Sequence, residues 1–89
     1  MQSKKTDLYE QIKKIAHEAR TGDYGQAASD INIFLQLLQS ELSKGYIRSD
    51  DLSKVTYSLE TLMEMQKKGD WVALADILEY EFTDIISTW

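Results

Sequence analysis

Three polar stretches, each holding a glycine, most constrain how this chain folds. They are Thr21-Gly22-Asp23, Lys44-Gly45-Tyr46 through Asp51, and Lys68-Gly69-Asp70. Glycine suits the left-handed position just past a helix, and aspartate suits the N-cap of the next one. The chain has no proline, so nothing inside the four intervening segments forces a helix to break. The expectation is an all-α fold, a four-helix up-down bundle made of two antiparallel α-hairpins, about 7–43 and about 51–89. With 89 residues, residues 1–89 form a single helical domain.

Apolar spacing supports each helix. From Asp7 to Arg20, Leu8, Ile12, Ile15, Ala16 and Ala19 fall at steps of three and four, and Asp7 with Glu10 has capping-box spacing. From Tyr24 to Ser43, capped by Asp23, the stripe is Tyr24, Ala27, Ala28, Ile31, Leu35, Leu38 and Leu42, widened by Phe34. Ile33 and Leu37 fall toward the other side, so this helix is apolar over more than one face and is either central or covered by a partner. From Leu52 to Lys68, capped by Asp50 or Asp51, Leu52, Val55, Leu59, Leu62, Met63 and Gln66 keep the spacing. From Trp71 to near the C-terminus, capped by Asp70, the stripe is Trp71, Leu74, Ala75, Leu78, Phe82, Ile85, Ile86 and Trp89. Trp71 and Phe82 are expected in the core, and Trp89 either closes the bundle end or packs on another chain.

The sequence also repeats itself. RTGDYGQAASDI at 20–31 aligns with KKGDWVALADIL at 67–78, placing Gly22 on Gly69, Asp23 on Asp70, Tyr24 on Trp71, Ala28 on Ala75 and Ile31 on Leu78. The same offset sets Ile12 on Leu59 and Ile15 on Leu62. Duplication and convergent turn chemistry both account for this, and either yields two helical hairpins. The Gly-Asp-Tyr-x-x-Ala string also resembles the inter-helix turn of tetratricopeptide repeats, but the spacing is wrong for a tandem array of that kind.

Composition narrows the function. Hydrophobic residues are 43% and charged residues 28% of the chain, as in ordinary globular domains. The formal charge of −5 argues against a nucleic-acid partner, and no apolar run suits a membrane span. Met1 to Tyr9 lack an apolar signal core, so a cytoplasmic location is expected. Residues 1–20 hold five bases against three acids, whereas 70–89 hold five acids and no base. The first and last helices are thus complementary neighbours in an antiparallel bundle. Alternatively, Asp76 and Glu79 form an acidic face that recruits a basic partner.

Catalytic chemistry is not expected. Without cysteine, and with His17 as the single histidine, no metal site and no thiol nucleophile can be written. The glycines form no phosphate loop. Asp76, Glu79, Glu81 and Asp84 read as a solvated face rather than an acid–base pair. No cofactor is expected.

The string Gly69-Asp70-Trp71-Val72-Ala73-Leu74-Ala75-Asp76-Ile77-Leu78-Glu79-Tyr80-Glu81 resembles the last helix of small uncharacterised helical proteins of Firmicutes. That resemblance implies a bacterial helical bundle and brings no activity. Size, acidity and helical hairpins are more loosely similar to flagellar export chaperones, which bind helices of their clients. The expected function is a non-enzymatic protein–protein interaction module, an adaptor or small chaperone receiving an amphipathic helix. Its partner-binding residues are expected to be Ile33, Leu37, Trp89, Asp76 and Glu79. The alternatives are a homodimer formed through Ile33 and Leu37 and a helical sensor with a small-molecule pocket.

Overall fold

The computed structural model describes residues 4–89, and every regular element in them is helical. α1 spans Lys4–Thr21, α2 Tyr24–Leu42 and α3 Ser49–Lys68. A fourth helix, residues 71–87, comprises α4 (Trp71–Asp76), a π-helical segment (Ile77–Phe82) and α5 (Thr83–Ser87). Two starts differ from expectation. α1 begins before Asp7, which lies in its first turn rather than at a cap. α3 begins at Ser49 with Arg48 at the N-cap position, so Asp50 and Asp51 are first-turn residues whose charge favours the positive end of the helix dipole.

The two Gly-Asp turns share their backbone dihedrals and main-chain hydrogen bonding. Gly22 and Gly69 have φ of 84° and 73°, a left-handed geometry that glycine adopts without a Cβ penalty. Asp23 N–H donates to Glu18 O and Asp70 N–H to Met65 O, both at 2.9 Å, closing the six-to-one bond of a Schellman-type stop. Asp23 and Asp70 share φ of −87°, with ψ of 64° and 76°. Only the second is a side-chain cap, Asp70 Oδ1 accepting from Ala73 N–H at 3.2 Å. Gln26, at the third position of α2, bonds Asp30 instead.

α1 packs against α2 and against the fourth helix, and α3 packs against the fourth helix. At its start, Lys5 Nζ donates to the main-chain oxygens of Ser87 and Trp89, each at 3.2 Å. At its end, Arg20 meets Asp76 and Glu79. α1 and the fourth helix therefore run antiparallel. The smallest extent, 18 Å, is that of two helix layers. The core between them is built from Leu8, Ile15, Ile31, Phe34, Leu38, Leu62, Leu74, Leu78, Phe82 and Ile86 among others.

The repeat-equivalent aromatics touch one another. Tyr24 stacks on Trp71 with centroids 4.9 Å apart and planes 11° from parallel. Phe34 meets Phe82 edge-on at 5.4 Å and 88°. Tyr24 and Trp71 were both expected in core stripes. Instead Tyr24 is exposed and Trp71 half-buried, because each ring covers the other at the corner where the two turns meet. Leu52 and Met63, also expected on the α3 stripe, are exposed on its flank.

The fourth helix departs from a plain α-helix for a packing reason. In α2 the buried apolar residues are Ala27, Ile31, Phe34 and Leu38; their counterparts are Leu74, Leu78, Phe82 and Ile86. The offset is one residue longer after Leu78. The π-helical segment absorbs that extra residue, with Thr83 N–H bonding back to Leu78 O.

Three substitutions separate the kinds of aromatic contact. Phe82→Ala, in the closed core, is expected to cost ~3–5 kcal/mol. A double-mutant cycle of Tyr24→Ala and Trp71→Ala is expected to give a coupling of only ~0.5–1.5 kcal/mol. Urea unfolding followed by circular dichroism measures both. A zero coupling would mean that the stacked pair contributes nothing to holding the hairpins together.

Candidate functional site

The expected partner-binding residues do not form one patch. Ile33 is 43% exposed on α2, whereas Leu37 is half-buried and packs against the core. Asp30, Ile33, Leu37 and Glu41 share one flank of α2 by their spacing. Its two carboxylates are buried and its apolar residues reach the surface, the reverse of ordinary amphipathic patterning.

Asp76 and Glu79 belong to a different surface. Arg20 Nη2 bonds Asp76 Oδ1 at 2.9 Å, and Arg20 Nη1 pairs with Glu79. The hydrogen bond that Arg20 donates to Glu79 leads in holding the guanidinium above its ordinary pKa against partial burial, and Asp76 adds to it. Both carboxylates thus serve the seam between α1 and the fourth helix. This is the complementary-neighbour reading of the charge layout, and it leaves neither acid unpaired for a partner. Trp89 packs half-buried against the core at the far end, with its indole Nε1 buried and without a partner among the described residues.

Sequence reasoning missed the buried acids. Glu18 is 7% and Asp30 1% exposed, and their carboxyls are in hydrogen-bonding contact between α1 and α2. Gln26 Nε2 reaches both Asp30 oxygens at 3.3 Å, and Lys14 Nζ lies 3.6 Å from Oδ2. Two such carboxyls cannot both ionise cheaply. Burial, then the hydrogen bond and charge of Asp30, push Glu18 from 4.5 up to about 7. Burial alone would raise Asp30 as well. The hydrogen bonds from Glu18 and Gln26 and the charge of Lys14 outweigh it and hold Asp30 below its ordinary value. A signal was present in the sequence: Glu18 lies three residues after Ile15, and Asp30 three after Ala27, both on core faces. Glu41 is a third buried acid, held by Lys44 Nζ at 2.6 Å and by Tyr46 Oη at 2.9 Å. Burial, then that hydrogen bond, raises the Tyr46 pKa.

One concavity lies between α3 and the end of the fourth helix. It is an open cleft of about 410 Å³ lined by Ser53, Lys54, Tyr57 and Ser58 on one side and Glu81, Asp84 and Ile85 on the other. Among the described residues no group of three or more metal-ligating side chains is gathered. No helix there is long and apolar enough to cross a membrane.

The Glu18–Asp30 pair makes stability depend on pH with a definite sign. Glu18 binds its proton more tightly folded than unfolded. Its contribution is complete below about pH 4.5 and is lost as pH rises through about 7. Asp30 acts oppositely, its contribution being lost as pH falls below the ordinary carboxylate range. The thermal midpoint is therefore expected to fall from about pH 5 to about pH 8, and Glu18→Gln, which still donates to Asp30, should flatten that fall. An equal fall in the variant, by calorimetry, would place the titrating group elsewhere.

The family described as Domain of unknown function (DUF8042) matches residues 5–89. No curated protein and no solved structure matches the chain.

Proposed function

The chain belongs to the DUF8042 family, whose description assigns no function, and from the geometry we propose a non-enzymatic protein–protein interaction module. It is an up-down bundle of two hairpins acting as an adaptor or small chaperone for an amphipathic helix. One observation carries the reading: Ile33 and Leu37 form an apolar edge on α2, Ile33 being exposed where polar residues normally stand. The edge follows the α1–α2 seam, so an incoming helix laid along it would extend the core at a site already stiffened by two helices. Chemistry is absent from the reading because the buried carboxyls sit within a helix seam, away from the cleft.

Ile33→Glu tests this reading, with Leu37→Gln as a milder companion because Leu37 also packs inward. Both variants should keep the helical circular-dichroism spectrum. A partner retained by tagged wild-type protein from cell lysate should be lost by the folded Ile33→Glu variant. Retention of the same partner by that variant would remove the α2 edge from the interface. Light scattering that showed a wild-type dimer and a monomeric Ile33→Glu variant would instead establish self-association through the same edge.

A further inference from the structure

We propose that the cleft between α3 and the end of the fourth helix holds the cationic group of a lysine or arginine side chain carried by the partner's helix. The partner being a helix rests on the function proposed above. The cationic chemistry rests on the cleft itself.

Residues 70–89 carry five acids and no base. Asp70 caps α4, and Arg20 takes Asp76 and Glu79. Glu81 and Asp84 are left, exposed, side by side on the cleft wall, and without an ion pair among the described residues. Across from them Tyr57, 67% exposed, lines the cleft and supplies an aromatic ring that can meet a cation. The floor adds an independent observation. Ser58 is 2% exposed, yet it lines the cleft, and its hydroxyl has no hydrogen-bond partner among the described residues. That hydroxyl is open to the cleft, where an N–H donor seated between the carboxylates would meet it. The negative end of the fourth helix adds attraction of the same sign. The structure already seats one ammonium there, that of Lys5 on the main-chain oxygens of Ser87 and Trp89. Lys54 is the one base on the cleft lining and has no ion pair among the described residues. Its flexible stem lets it swing out as the partner's cation enters.

The test uses the full chain and two fluorescein-labelled amphipathic helical peptides with the same leucine face, one with lysine and one with glutamate on the polar face. Fluorescence anisotropy is read at low and at physiological salt. The lysine peptide should bind at least about tenfold more tightly than the glutamate peptide, and Glu81→Gln with Asp84→Asn should remove that preference. Lys54→Ala should tighten the lysine peptide. Glu10→Gln with Glu64→Gln removes the same charge away from the cleft and should leave most of the preference in place. In the amide NMR spectrum, the lysine peptide should shift Tyr57, Ser58 and Asp84.

An equal loss in the remote and the cleft double variants would show general attraction to an acidic protein and overturn the proposal. So would equal binding of both peptides, or no binding of either. Loss on Ile33→Glu with no effect of the cleft variant would keep the interaction module and discard the cation site. The converse result would keep the cleft without the α2 edge.

Discussion

The fourth helix must keep Leu74, Leu78, Phe82 and Ile86 on one core, and much of the molecule depends on how it does so. These residues recur at steps of four. In a regular α-helix each step overshoots a full turn, so the face would drift about 120° from the first to the last. The π-helical segment at Ile77–Phe82 takes up that drift. Phe82 consequently meets Phe34 edge-on, and Glu79 stays on the side of Arg20. Glu81 and Asp84 turn toward α3, where they make the acidic wall of the cleft.

The contacts between equivalent aromatics describe how the hairpins are joined. Tyr24 stacks on Trp71 and Phe34 meets Phe82 edge-on, so α2 and the fourth helix are joined through two aromatic pairs. Charge holds the seam alongside. Lys5 and Arg20, at opposite ends of α1, each engage the fourth helix, one through main-chain oxygens and one through carboxylates. The seam between α1 and α2 is built differently, around the buried carboxyls of Glu18 and Asp30, whose pKa values are pushed in opposite directions.

Much of the fold was legible because it depends on local rules. Gly22 and Gly69 end helices through left-handed backbone, and the periodicity of three and four identified Leu8, Ile12, Ile15, Leu62 and Phe82 as core. The candidate site was far less legible. Ile33 and Leu37 looked alike in the sequence, yet one is exposed and the other rests on the core, because a flank residue's burial depends on how far the neighbouring helix reaches. Asp76 and Glu79 were visible as acids, but pairing with Arg20 is a contact across 56 and 59 residues of chain. Glu18 and Asp30 were passed over because acids are seldom buried unless paired, and their pairing is with each other.

The sequence by itself determined the helical class, the positions of the two Gly-Asp turns and the stripes that face inward. Each follows from backbone sterics or from a periodicity contained within one segment. Only the tertiary structure decided the π-helical turn, the mutual cover of Tyr24 and Trp71, the buried pair of carboxyls between α1 and α2 and the acidic cleft against α3. Each of these depends on the distance between groups on different helices, which helical periodicity leaves undetermined.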